Sequence, residues 1–520
     1  MENNILTTNL TTEITTLKTR VSELELLVKF YEEQFRLSQK RRFGASSEKS
    51  EYDQLRLDTA DETPTDKDAS CETYEEPDIE CVKEHYRRKR TRKDSLPKDI
   101  PVEEILVELP GEEQSCPKCS GALHVMGHEK REELVVIPAK VSVRRYITCT
   151  YACRECEKMS EQVPIVKTRA PAPVIKGSFA SPEAVAYAMH QKFVMGVPLY
   201  RQEQEWRRQD VLLSRQTMTN WLIYSAEHWL SPLYDELRRR LLMREVLHAD
   251  ETTFQVLREP GKKAQSKSYL WCYRTSGDAK EPIVLAEYKP DRGMRNPDAF
   301  LTGFSGYLHA DGYDAYHKLP PQIVVVGCWA HVRRKWDEAL RALRDLSPSV
   351  REKSTEMMGK RYLDKLFAIE RELAGLDANQ RYRQRMDRLK PVMDELFEWA
   401  AGVSARPKSL LGTAISYLFS QRKYLQNVLL DGRLELSNNR AERTIKPFVI
   451  CRKNFLFANT PRGANAASII FSLVETAKET GVNPFEYLTY VFKTVPNVDI
   501  KNSGNLEALL PAGYKKLHDR

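Results

Sequence analysis

The tetrapeptide Leu-His-Ala-Asp occurs twice in the chain, ending at Asp250 and at Asp311. Each copy closes an apolar stretch that reads as a strand, 246–250 and 307–311. Two carboxylates brought about 4 Å apart by neighbouring strand ends would repel by roughly 4 kcal/mol at an effective dielectric near 20. Such a pair is kept where cations bind, and hard oxygen ligands suit Mg²⁺. A single acid at a strand end ordinarily caps a turn; two in matching contexts fit that reading less well. Two-metal phosphoryl transfer usually calls for a third acid, and the downstream candidates are Asp337, Asp431, Glu442 and Glu475. Glu442 stands in Leu436-Ser-Asn-Asn-Arg-Ala-Glu-Arg-Thr-Ile-Lys446, among Arg440, Arg443 and Lys446. Ser437 or Asn438 can cap that helix. Beside a polyanion, the bases can hold phosphates while the acid faces metal. Glu475 lies in an amphipathic run with Leu473, Val474 and Ala477, the pattern of a packed helix in which it bonds a neighbouring element.

A second chemistry sits upstream. Cys116-Pro-Lys-Cys119 and Cys153-Arg-Glu-Cys156 are two knuckles with 33 residues between them. Paired steps of this kind let four thiolates meet one tetrahedral Zn²⁺, as in zinc ribbons, although the gap is longer than usual. Cys149 competes as a ligand, and His124 or His128 could replace one. Strand-like stretches at 133–137 and 141–147 lie between the knuckles. So small a module has little core, and structural zinc is expected to decide whether it folds.

These groups need elements to position them. From residue 245 the pattern runs as three strands (246–250, 269–273, 283–288), a helix near 297–304, a strand to Asp311 and an apolar strand at 323–329. That order matches an RNase H-like fold, in which the first and fourth strands are neighbours and Asp250 and Asp311 converge. Upstream, residues 175–244 read as helical. Pro182 suits a first helical turn, and Ser214 can cap a helix from Arg215. Met218, Trp221 and Leu222 then face inward, and Arg215, Gln216, Thr219 and Asn220 outward. This is the layout of a helix-turn-helix reading helix. At the N-terminus, Leu10, Ile14, Leu17, Val21, Leu24, Val28, Tyr31 and Phe35 step by four and three, the seam of a coiled coil able to pair two chains.

Composition sets the remaining bounds. Between residues 51 and 80 there are twelve acids against two bases, with Pro64 and Pro77, so a disordered linker is expected. Basic residues 87–93 follow and suit DNA phosphate. The 520-residue chain has a net charge of +8, compatible with an anionic partner but weak evidence by itself. Ten cysteines, five of them between Cys116 and Cys156, point to metal in a reducing compartment rather than to a disulfide scaffold. No apolar run is long enough to span a membrane and no secretory signal is visible, so a cytoplasmic, nucleoid-associated location is expected.

Further motifs run along the whole chain: Arg42-Phe-Gly-Ala-Ser-Ser-Glu-Lys49, the paired knuckles, His248-Ala-Asp-Glu-Thr252 and Asp311-Gly-Tyr313. Cys328-Trp-Ala-His331-Val-Arg-Arg334, Asn438-Asn-Arg-Ala-Glu442-Arg, Arg452-Lys-Asn-Phe-Leu-Phe457 and Glu475-Thr-Ala-Lys-Glu-Thr-Gly481-Val-Asn-Pro484 follow. Together they resemble the DDE transposases of bacterial insertion sequences of the IS-sixty-six type. The resemblance implies that Asp250, Asp311 and Glu442 form a catalytic triad holding two Mg²⁺, and that one structural Zn²⁺ sits in the module. It implies cleavage at element ends and joining of the 3′-hydroxyl strand to target DNA. It places Cys328 and His331 in a signature after the fifth strand, read here as support of the site. It also puts a helical insertion at about 331–430, in the 131-residue interval from Asp311 to Glu442.

The expected architecture is a multidomain α/β chain: coiled coil 1–50, linker 51–100, zinc-binding module 101–168, helix-turn-helix-like domain 175–244, RNase H-like catalytic domain 245–460, and C-terminal helical region 461–520. Expected partners are double-stranded DNA (terminal inverted repeats and target), a second copy of the chain and small accessory proteins of the element. The competing readings are an RNase H-like nuclease without strand transfer and a DNA-binding regulator with an inactive catalytic domain.

Overall fold

Alternating burial, hydroxyl caps and prolines in first turns set most of the elements. In the computed structural model the described residues are 170–518, together with 141–152, 165–167 and positions between 17 and 32. The linker and the knuckle residues Cys116, Cys119, Cys153 and Cys156, with His124 and His128, lie outside them. The chain divides into two units, 74–170 and the remainder.

In the smaller unit, β1 (Thr150–Ala152) pairs antiparallel with β2 (Ile165–Lys167). The strand expected over 141–147 does not form. Its alternating apolar residues face solvent: Val143 is 90% and Ile147 81% exposed. Cys149 is exposed.

In the larger unit, the described positions between 17 and 32 are helical. Leu17, Val21, Leu24, Val28 and Tyr31, the expected seam, all face solvent. From Pro182 the chain builds the expected helices. Ser181 caps α1 (Pro182–Phe193) by accepting from Ala184 N. Then come α2 (Leu199–Arg208) and α3 (Arg215–Ser225), the latter capped by Ser214 Oγ accepting from Thr217 N. A wide turn at Ala226–Leu230 carries the chain into α4 (Ser231–Leu242).

The sheet contains β3 (Val246–Gln255), β4 (Lys267–Thr275), β5 (Val284–Lys289), β6 (Gly306–Ala310) and β7 (Ile323–Gly327). The short helices α5 (Arg295–Phe300) and α6 (Asp314–His317) connect β5 to β6 and β6 to β7. The spatial order is β5-β4-β3-β6-β7. β3, β4 and β5 are antiparallel; β3, β6 and β7 are parallel.

After β7 the chain is helical: α7 (Trp329–Arg341), α8 (Pro348–Glu352), α9 (Thr355–Glu372), α10 (Ala378–Gln384), α11 (Lys390–Ala401), α12 (Leu410–Ser420) and α13 (Arg422–Gln426). Their second core joins Trp329, Trp336, Leu363, Leu396 and Phe397. Gly359 is required there, because a Cβ would lie 2.1 Å from the Trp336 ring. Arg385 is fully buried; it holds Glu370 and donates to the carbonyls of Val428, Asp431 and Leu434.

The last helices are α14 (Asn439–Phe455), α15 (Pro461–Glu479), α16 (Pro484–Thr494), α17 (Ser503–Leu509) and α18 (Pro511–His518). α15 covers the outer edge of the sheet. Ser472 Oγ accepts from Ala286 N at 2.8 Å and Thr476 Oγ1 from Val284 N at 3.0 Å, so these two outward amides of the edge strand β5 are satisfied.

Candidate active site

The two Leu-His-Ala-Asp copies lie side by side. β3 pairs in parallel with β6 from Val246 opposite Tyr307 to His248 opposite His309. The pairing ends there; Asp250 and Asp311 each follow their histidine by two residues, and the Asp311 charge acts on the Asp250 carboxyl. One detail differs: Asp250 does not end its strand. β3 runs on to Gln255, held by β4, with Asp250 opposite Cys272. The extension survives its polar sequence because Glu251 and Thr252 find partners in the interior. Asp250 Oδ1 accepts from Glu251 N at 2.8 Å, and Asp311 Oδ1 accepts from Tyr313 N at 2.9 Å in a tight turn. Gly312 sits in that turn because a Cβ would come within 2.7 Å of the Tyr417 hydroxyl. Burial, then the neighbouring carboxylates of Glu251, Asp311 and Glu442, hold the Asp250 carboxyl well above its usual range.

Glu442 lies in the first turn of α14. Arg334 Nη2 donates to its Oε2 at 3.2 Å, and His331 Nε2 stands 3.7 Å from Oε1. Oε1 is buried without a hydrogen-bond partner. Cys328 Sγ accepts from Asn438 N at 3.1 Å, and burial pushes its thiol up to about 12. His331 is pushed down to about 4 by burial, with the Arg334 charge adding to it. The signature pair therefore lies against the third acid.

Asn438 does not cap α14 with its side chain, as had been expected of it or Ser437. Buried to 1% exposure, it ties α14 to β3: Nδ2 donates to Ala249 O at 2.8 Å, and Oδ1 accepts from His248 Nδ1 at 3.0 Å. The imidazole of His248 stacks on that of His309, centroids 4.3 Å apart and 12° from parallel. Glu435 N donates to His309 Nε2 at 3.2 Å. Burial holds both rings neutral, His248 down to about 3 and His309 well below the usual value. The two histidines of the repeat thus grip the segment that launches Glu442. The doubled His was the available signal; its partners, 126 and 190 residues away, were not.

Glu251 was also missed. Its buried carboxylate accepts from Tyr316 Oη at 2.6 Å and Arg292 Nε at 2.7 Å. Arg292 lies 3.8 Å over the Tyr313 ring, and Tyr313 Oη donates to Arg292 O at 2.5 Å. This brace supports the turn that presents Asp311. The available signal was a second acid adjoining Asp250.

The other candidate acids lie in ion pairs: Asp337 with Lys360 at 3.5 Å and Asp431 with Arg433 at 2.8 Å. Glu475 is buried and pairs with Lys478 of its own helix at 2.7 Å, rather than with a neighbouring element. Of the expected phosphate contacts, Arg440 bonds Glu435 at 2.7 Å, Arg443 is exposed and Lys446 half-buried. On α3, Met218, Trp221 and Leu222 are buried, while Arg215, Gln216 and Asn220 are exposed and Thr219 is partly so. Gln216 donates to Asn220 Oδ1 at 3.1 Å, and the Arg215 guanidinium lies 5.5 Å over Tyr200.

The acids fit a hard cation. The raised Asp250 carboxyl and the unpartnered Glu442 Oε1 would both be relieved by positive charge. Among the described residues, no helix is long and apolar enough to cross a membrane.

Family models match in the same order as the elements. Residues 31–105 match the transposase C of IS166 homeodomain and 113–157 the zinc-finger binding domain of transposase IS66. Residues 177–466 match the transposase IS66 family and 472–512 the IS66 C-terminal element. Two similar proteins come from Sinorhizobium fredii (strain NBRC 101917 / NGR234). The uncharacterized protein y4jD is 31% identical over 436 residues, 81% of each chain. The uncharacterized protein y4qI is 32% identical over 432 residues, 80% of this chain and 76% of its own. With the family model spanning more than half of its length, from the helices before the sheet to α15, the chain belongs to the transposase IS66 family.

Proposed function

We propose that the chain is a DDE-type transposase with an RNase H-like catalytic domain. In this reading it cuts phosphodiesters at element ends and transfers the freed 3′-hydroxyl strand to target DNA. The observation that carries it is the convergence of three acids from distant segments. Asp250 and Asp311 each stand two residues beyond the last paired positions of two parallel strands, and both Asp311 and Glu442 add their charge to Asp250. The strand order, three antiparallel then two parallel, supports the fold assignment.

Asp250, Asp311 and Glu442 are the residues to hold two Mg²⁺. Bound there, the cations would supply activation of the attacking oxygen and stabilisation of the leaving one. The chain's own work is positioning. Asn438 fixes α14 against β3, and the Glu251–Arg292–Tyr313 brace fixes the turn at Asp311. Arg440, Arg443 and Lys446 neutralise phosphates along the approach. Arg215, Gln216, Thr219 and Asn220 read the terminal repeats from α3. The N-terminal helix pairs two copies of the chain through its exposed seam. Zn²⁺ in the upstream module is held by Cys116, Cys119, Cys153 and Cys156. Small accessory proteins of the element and a cytoplasmic, nucleoid-associated location complete the reading.

Cleavage of a labelled element end over a range of Mg²⁺ tests the assignment. Glu442→Gln keeps shape and removes charge, so it abolishes cutting while end binding persists. Glu475→Gln retains cutting, because that carboxylate is committed to Lys478. Robust cutting by the first variant and none by the second would reverse the roles. Joining of pre-cut ends to target DNA separates a transposase from a nuclease.

A further inference from the structure

Three side chains of different donor chemistry meet beside the hard-cation site. Cys328 Sγ, a ring nitrogen of His331 and a carboxylate oxygen of Glu442 all lie within 4.8 Å of one another. Cys328 immediately precedes α7 and His331 follows in its first turn, so the two face the same way. Glu442 comes to them from the first turn of α14.

Each donor is arranged as a ligand would be. Asn438 N donates to Cys328 Sγ at 3.1 Å, and the sulfur sits at the start of a helix. Amide donors and a helix N-terminus favour thiolate, against the burial that keeps the metal-free group a thiol. Glu442 Oε1 is a buried polar atom without a hydrogen-bond partner, and His331 turns its Nε2 toward it. Arg334 occupies Oε2 of Glu442 and leaves Oε1 turned to the histidine. The separation of His331 Nε2 from that oxygen, 3.7 Å, is too long for a hydrogen bond. Two ligands of one tetrahedral ion, each about 2.0–2.1 Å from it, would stand only slightly closer.

We propose that Cys328, His331 and Glu442 form a binding site for a single borderline transition-metal ion, Zn²⁺ in the first instance. A thiolate, an imidazole and a carboxylate are a poor set for Mg²⁺ and a good one for Zn²⁺. Three protein ligands leave the fourth position of a tetrahedral ion open. The ion is separate from the zinc of the upstream module. Its consequence, which rests on the reading of Glu442 as the third acid, is competition. Zn²⁺ and Mg²⁺ draw on one carboxylate, so Zn²⁺ here withdraws Glu442 from Asp250 and Asp311.

The test counts zinc and does not depend on cleavage. The full chain is stripped with chelator, reloaded with Zn²⁺ and desalted, and zinc per folded chain is measured. Cys328→Ser retains an acceptor for the Asn438 amide, Glu442→Gln is isosteric, and His331→Asn removes the ring. Each is expected to hold one zinc fewer than the parent, while Asp250→Asn holds as many. Because Glu442→Gln keeps the fold whatever Cys328 contributes to it, the count decides even if Cys328→Ser unfolds. Equal zinc in the parent and Glu442→Gln overturns the site. Loss of the same equivalent from Asp250→Asn overturns it too, since the ion would then belong to the carboxylates alone. The competition is read separately: micromolar Zn²⁺ inhibits Mg²⁺-dependent cutting by the parent, and Cys328→Ser relieves that inhibition. Absence of cutting under all conditions would count against the transposase reading and leave the zinc count standing.

Discussion

Asn438→Ala is the substitution that most directly tests how the site is assembled. Asn438 is 1% exposed and makes two side-chain hydrogen bonds, 2.8 Å to Ala249 O and 3.0 Å from His248 Nδ1. Because its Nδ2 donates to the carbonyl, its Oδ1 is the acceptor, and His248 carries its proton on Nδ1. Alanine leaves that N–H and the Ala249 carbonyl buried without partners. An orphaned buried group costs about 1–3 kcal/mol, so the two together cost about 2–6 kcal/mol. That is a large fraction of the about 5–15 kcal/mol that stabilises a typical folded protein. The backbone bond from Asn438 N to Cys328 Sγ survives, so the loss belongs to the side chain. Urea unfolding followed by the fluorescence of the buried Trp271 and Trp329 measures it. In the same variant α14 is no longer tied to β3, so Mg²⁺-dependent cleavage falls even where the protein is fully folded. A stability loss below about 1 kcal/mol together with undiminished cleavage would refute the argument, because the two strands of evidence share one side chain.

Three further outcomes are expected. Asp250 is held above its usual range, so the folded chain keeps a proton that the unfolded chain has lost; the stability from this group is full below the ordinary carboxylate value and disappears as pH rises through the folded one. Asp250→Asn should therefore melt higher than the parent at neutral pH without metal, and the two should converge near pH 3; a parent that melts higher throughout would contradict this. Leu17→Glu with Leu24→Glu puts charge into the exposed N-terminal seam and should lower the mass seen by light scattering, an unchanged assembly counting against pairing through this helix. Gly359→Ala drives a methyl into the Trp336 ring and should cost about 1–3 kcal/mol in thermal or urea unfolding; no loss would mean that the second core yields there.

Much of the scaffold was legible because its signals are local. Pro182 and Ser214 mark helix starts, and each does so here. The strand pattern from residue 245 gave the element order, and the two aspartates took neighbouring positions. What escaped the reading depends on partners far along the chain. Glu251 and Thr252 look like the end of a strand until Tyr316 and Arg292 satisfy Glu251 in the interior. Asn438 has the sequence position of a cap, yet a histidine 190 residues away claims its amide. Glu475 was expected to bond another element, and Lys478 three residues on takes it. The stretch 141–147 has strand-like alternation but its apolar side chains stay exposed, so the pattern alone did not make a strand.

The stacked imidazoles of His248 and His309 act as an indexing mark between two strands. Parallel strands can slide in whole residues, and a slip of one would turn every side chain of β6 to the other face. Here such a slip would unstack the rings, strand a buried histidine against apolar neighbours and move Asp311 away from Asp250. The stacked pair that such a slip would break stands two residues before each of the two acids. A chain that has folded its sheet has, in the same act, aligned two of the three groups on which its chemistry is proposed to depend.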